Sequence, residues 1–149
     1  MAKQAKKKNK QAPPSPKAWV WPAIIFAFAF ALYANTFNHE YALDDDIYCL
    51  KNKYSQQGPS AWKDIFFKGS LHGFNGEASQ YRPLPLFQFA VEIAIFGNNP
   101  HVHHRFNVLL YGLCCVILFL LLQKLFRDYH YLIPLFITLL FVAHPTHSD

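Results

Sequence analysis

Three consecutive aspartates, Asp44, Asp45 and Asp46, are the residues of this chain whose type and spacing most directly offer chemistry. A carboxylate within hydrogen-bond reach of a hydroxyl can take its proton as the oxygen attacks an electrophilic carbon. The same triplet also reads as a solvated acidic turn, or as a weak site for a hard cation with oxygen ligands. Arg82, between Tyr81 and Pro83, brings a planar guanidinium that can bind phosphate oxygens bidentately and stabilise charge developing on a leaving group. Its plainer uses are pairing with lipid headgroups or with Glu77. His144 and His147 stand three apart after an apolar run and can share a face. His101, His103 and His104 invite a metal reading, but no partner cysteine or second cluster accompanies them, and neighbouring histidines on a helix point different ways, so no metal site is assigned. No Walker A loop, GxGxxG, GxSxG or HExxH is present in these residues, which leaves nucleotide-dependent catalysis without support.

The segments that must hold these groups are apolar. Of 149 residues, 52% are hydrophobic and 17% aromatic, and the apolar ones are gathered into long runs, which makes a bilayer the first solvent to consider. The formal charge of +5 misleads, because residues 1–17 carry six lysines and no acid while the rest of the chain is slightly acidic. A basic nucleic-acid-binding domain is therefore not indicated. Lysines, prolines and no large apolar side chain make 1–17 a disordered cytoplasmic tail. The adjacent Cys114 and Cys115, with Cys49, form neither an even disulfide set nor a CxxC pair and read as packing residues.

Residues 18–37 carry no charge and match the roughly 30 Å thickness of a hydrocarbon core, with Trp19 and Trp21 where interfacial aromatics belong and Pro22 in the first turn. Cleavage after Ala29-Phe30-Ala31 would cut this run in its middle, so a retained span with its N-terminus inside is expected. A second span covers 103–123, closed inside by Lys124 and Arg127, and a third covers 131–143. Between the first two lies an outer loop, 38–102, with a short helix near Ser60–Lys68 capped by Ser60. Residues 83–97 of this loop are apolar but short for a span. Gln88 and Glu92 make one polar stripe there, so a juxtamembrane helix is expected. The fold class is all-α, an integral membrane protein with three spans and a large extracytoplasmic loop, and the acidic triplet shares the outer face with His144 and His147. The apolar run ending near Asp149 suggests an N-terminal piece of a longer protein.

The order of motifs carries a resemblance. Asn35-Thr36-Phe37, Leu43-Asp44-Asp45-Asp46-Ile47 with Asn52 following, Tyr81-Arg82-Pro83-Leu84, Phe96-Gly97-x-Asn99-Pro100, His104-x-x-Asn107-x-x-Leu110 and Ala143-His144-Pro145-x-His147 together resemble the N-terminal part of the GT-C membrane glycosyltransferases. The protein O-mannosyltransferase-like enzymes, including the transmembrane-and-tetratricopeptide-repeat group, are the nearest in pattern over residues 18–149. The resemblance implies transfer of a hexose, mannose by analogy, from a polyisoprenyl-phosphate (dolichyl or undecaprenyl) donor to a protein Ser/Thr or glycan hydroxyl. The reaction would take place on the outer or luminal face of a bacterial inner or ER membrane. It also implies that Asp44 and Asp45 occupy the place of the family's catalytic acidic pair. Asp46 departs from the usual polar or basic residue at its position, which leaves the register of the base open by one. Tyr81, Arg82, His144 and His147 then contact substrate. No tightly bound cofactor is implied; the partners are membrane lipid, lipid-linked sugar and the acceptor, with tetratricopeptide repeats expected downstream. The rival expectation is a non-catalytic anchor or transporter subunit whose outer loop binds a partner.

Overall fold

The computed structural model describes residues 19–41, 45–76 and 80–144. The lysine tail, Asp44, Glu77 and His147 lie outside them. Among the described residues all regular structure is helical, with no strand.

The first apolar run forms α1, Val20–Tyr33, with Pro22 in its opening turn, where a missing N–H leaves no bond unmade. It continues as a 3-10 turn over Ala34–Asn38, where the Thr36 hydroxyl donates to the Tyr33 carbonyl at 2.8 Å. After a π-type turn at Asp46–Leu50 come three short helices: α2, Lys53–Gln56; α3, Trp62–Phe67, preceded by a 3-10 turn at Gly58–Ala61; and α4, His72–Asn75. Pro83 opens α5, Pro83–Phe96. Asn99 caps α6, Pro100–Leu125, its side-chain oxygen accepting from the His101 N–H at 3.1 Å. The last helix is α7, Leu132–Val142.

Two packing units result. In the first, α1, α6 and α7 close around Ile25, Ala29, Cys115, Phe119, Leu135 and Val142. Gly112 lets α1 and α6 touch, because a Cβ there would come within 2.9 Å of the Phe26 ring. The Tyr33 and Tyr111 hydroxyls both donate to the Val142 carbonyl, at 3.2 and 3.3 Å, so the end of α7 is fastened to the end of α1. The outside of this unit is as apolar as its inside: Ile117, Leu121, Phe136 and Leu140 are exposed. A bundle apolar all round suits a lipid surround.

In the second unit the loop helices pack on α5 through Tyr54, Ala61, Ile65, Leu86 and Ala90. Asn52 is its polar pin. The Asn52 side chain accepts from the Tyr54 N–H at 3.0 Å and donates to the Ser70 carbonyl at 2.8 Å. Gly73 permits this: a Cβ there would lie 2.0 Å from the Asn52 Oδ1.

Two helices, Val20–Asn38 and Pro100–Leu125, are long and apolar enough to cross a membrane. The expected third span appears as α7, whose 11 residues reach about 16 Å, half the hydrocarbon thickness. The helix expected near Ser60 begins later, with Ala61 at its N-cap position, and Ser60 does not cap it. The Ser60 hydroxyl instead donates to the Gln57 carbonyl at 2.8 Å, closing the preceding 3-10 turn, in whose second position Pro59 stands.

Candidate functional site

The chain leaving α1 runs along the first turns of α6. A ring nitrogen of His101 bonds the Phe37 carbonyl at 2.9 Å, and His104 reaches the Glu40 carbonyl at 3.4 Å. The three histidines of this helix start thus diverge: His101 and His104 hold the incoming chain while His103 turns inward. These contacts deliver Tyr41 to the side of α6, its ring 5.8 Å from that of His103. Asp45 follows at the head of the next turn. Burial pushes the Tyr41 phenol far above its ordinary value near 10, and the nearby Cys49, Asp45, Glu92 and Glu40 add to the effect. The acidic turn, Tyr41 and α5 are therefore electrostatic neighbours.

The same turn meets Arg82 from the other side. Three residues after Asp45, the Tyr48 hydroxyl donates to the Gln80 side-chain oxygen at 2.7 Å. The Arg82 backbone N–H donates to the Ser70 hydroxyl at 2.7 Å, and Ser70 is itself held by Asn52. Tyr48, Arg82, Pro85, Leu86 and Phe89 line one open cleft of about 170 Å³. Its floor is apolar and its rim carries a guanidinium and a phenol, a combination able to receive an amphiphile with an anionic head.

The residues singled out from sequence fall as follows. Asp45 stands at the head of the turn, and Tyr48, one turn on, borders the Arg82 cleft. Tyr81 is exposed, and its hydroxyl donates to the Phe66 carbonyl at 2.9 Å, so that phenol anchors α3 to the start of α5. His144 belongs to the three-helix unit, where its N–H donates to the Phe141 carbonyl at 3.2 Å. Asp44 and His147 lie outside the described residues.

Sequence reasoning missed the buried pair at the centre. Glu92 on α5 and His103 on α6 are each only 3% exposed, and a Glu92 carboxylate oxygen bonds the His103 Nδ1. The Gln88 amide donates to the other Glu92 oxygen at 2.8 Å and to the Asn107 side chain at 3.2 Å, completing a polar seam between the two helices. The Gln88/Glu92 stripe thus has a helix as its neighbour. An acid in an apolar helix needs a partner, and the histidines opening the next helix were the signal that could have found it.

No family model and no solved structure matches the chain. Curated relatives do. The chain is 29% identical to protein O-mannosyl-transferase TMTC2 of Mus musculus, over 83% of this chain and 15% of that protein. It is 27% identical to TMTC4 of Mus musculus, over 87% and 19% respectively, and 28% identical to TMTC1 of Homo sapiens, over 85% and 15%. The chain spans less than a fifth of the length of these relatives. Its curated homologues are thus protein O-mannosyl-transferases of the TMTC type, in line with the resemblance carried by the order of motifs.

Proposed function

We propose that this chain is part of a membrane glycosyltransferase that moves a hexose, mannose by analogy with its relatives, from a polyisoprenyl-phosphate donor to a Ser/Thr or glycan hydroxyl. The reaction occurs on the outer or luminal face, with the N-terminus in the cytoplasm, α1 and α6 as spans and the loop between them outside. A third crossing begins with α7. The observation that carries this reading is the cleft where the Asp45 turn approaches Arg82 through Tyr48.

The chemistry is a direct displacement. The acceptor hydroxyl oxygen attacks the anomeric carbon, its proton passes to a carboxylate of Asp44 or Asp45, and the bond from that carbon to the phosphate oxygen breaks with its electron pair going to the phosphate. Arg82 stabilises the charge appearing there, and α5 walls the groove for the lipid carrier. Tyr81 steadies the approach, while His144 and His147 shape the outer end of the cavity.

Asp44→Asn and Asp45→Asn in the protein as expressed in its membrane test this directly. Transfer from a polyisoprenyl-phosphate hexose should fall by about 10²-fold or more in the variant that removes the base. Normal transfer in both would end the assignment. A cysteine placed at Ser79 should react with an impermeant thiol reagent from outside and one placed at Tyr129 should not.

A further inference from the structure

The Glu92–His103 pair leaves something unfinished. The His103 Nε2 and the Tyr41 hydroxyl are both buried without a hydrogen-bond partner among the described residues, and the two rings lie 5.8 Å apart. Buried polar atoms in folded proteins are almost always satisfied, and two unsatisfied ones side by side are a site with complementary needs. The pattern on His103 sets those needs. With Glu92 ionised and accepting at both oxygens, from Gln88 at one and from His103 at the other, Nδ1 carries the proton, and in the neutral ring Nε2 is left with its lone pair outward. The Tyr41 phenol, by contrast, holds a proton it cannot readily lose where it sits. An oxygen that donates one hydrogen bond and accepts another completes both groups.

We infer that Glu92, His103 and Tyr41 form a binding site for a single hydroxyl-type oxygen, which donates to the His103 Nε2 and accepts from the Tyr41 hydroxyl, with Glu92 as the positioning residue that orients the imidazole. Its location gives it a use. Tyr41 lies three residues before Asp44, and Phe89, whose ring meets that of His103 edge-to-face at 5.5 Å, separates the pair from the Arg82 cleft. The oxygen belongs either to a substrate hydroxyl or to a retained water, and either one ties the acidic turn to the start of α6. The substrate source rests on the transferase reading; the site itself does not.

Tyr41→Phe decides the matter by the sign of its effect on thermal stability, measured on the membrane-extracted protein with and without added polyisoprenyl-phosphate mannose. Removing a hydroxyl that truly lacks a partner relieves a buried cost and raises the midpoint; removing one that holds an oxygen lowers it. The expected result is a fall of about 2–4 °C. A fall without added lipid identifies a water, and one that appears only with the lipid-linked sugar identifies a substrate hydroxyl. In the second case the KM for the donor should also rise at unchanged protein yield. His103→Gln supplies the second leg of a cycle: the Tyr41→Phe effect should shrink in its presence, because the two groups share one ligand atom. A midpoint for Tyr41→Phe at or above wild type under both conditions, or full additivity with His103→Gln, overturns the site. Absence of any transferase activity in the wild type would sink the proposed function while leaving the thermal sign to be read.

Discussion

The two packing units solve the burial problem with opposite materials. Around α1, α6 and α7 nearly everything is apolar, from Ile25 and Phe119 inside to Ile117 and Leu140 outside, and the buried Thr138 hydroxyl is satisfied by the Pro134 carbonyl four residues back at 2.8 Å. The loop unit buries Asn52, Ser55 and Ser70 beside Leu86 and Ala90, and each polar side chain there bonds backbone atoms of a loop that forms no long helix. Long helices satisfy their own backbone, so contacts such as those of α1 with α6 can rest on shape. Irregular chain must borrow side chains to complete its hydrogen bonds. Arg82 and the turn after Asp45 belong to this second solution, joined to it through Ser70 and Gln80.

Substitutions should separate the two. The largest effect is expected from Gly112→Leu, which drives a side chain into the Phe26 ring and should cost about 3 kcal/mol, read as loss of folded protein after extraction, with α1 and α6 separating. If stability is unchanged, shape is not what holds the membrane unit. Asn52→Ala should cost about 2 kcal/mol by stranding the Ser70 carbonyl and the Tyr54 N–H. Faster amide exchange should then appear in α2 to α4 and leave α1 and α6 protected; uniform loss would erase the distinction between the units. Gly73→Ala, which displaces the Asn52 side chain, should reproduce that exchange pattern in weaker form.

The smallest effect belongs to the exposed Lys68–Asp64 pair at 2.7 Å. Its hydrogen bond with Lys68 holds the Asp64 carboxyl below its ordinary value of 3.8. Whatever the pair adds is present above that value and fades as pH falls through the lower folded one. Asp64→Asn should therefore leave the thermal midpoint at pH 7 within error. A marked drop would mean that the loop unit depends on its surface charges as well as its buried amides.

Much of the helical layout was legible in the sequence because its signals are local. Long runs poor in charge mark α1, α5 and α6 without reference to anything distant, although α6 begins at Pro100, ahead of the expected start at 103. The boundaries that went astray have equally physical reasons. Ser60 has the chemistry of a cap, yet its hydroxyl closes the 3-10 turn Gly58–Ala61 by bonding the Gln57 carbonyl. The third apolar run, by contrast, was expected over 131–143 and is helical over Leu132–Val142, within one residue at either end.

Tertiary pairings were not legible. Asn52 meets Ser70 and Gly73 across a stretch whose separation in the chain announces nothing, and the approach depends on a hydrogen atom in place of a methyl at residue 73. Glu92 was visible as an acid and His103 as one of three histidines, but period alone does not say which of a helix's faces meets its neighbour. Asp45 and Arg82 were picked out by chemical type, whereas Tyr41 and Tyr48, the phenols that tie the turn to its two neighbours, gave no comparable mark among eight tyrosines.

Phe89 is a shared partition, with the cleft on one side and the imidazole of His103 on the other. A rigid ring transmits pressure in a way that a flexible chain would absorb. A ligand that fills the cleft against Phe89 therefore presses on the ring that packs against His103, so occupancy of the one is felt at the other.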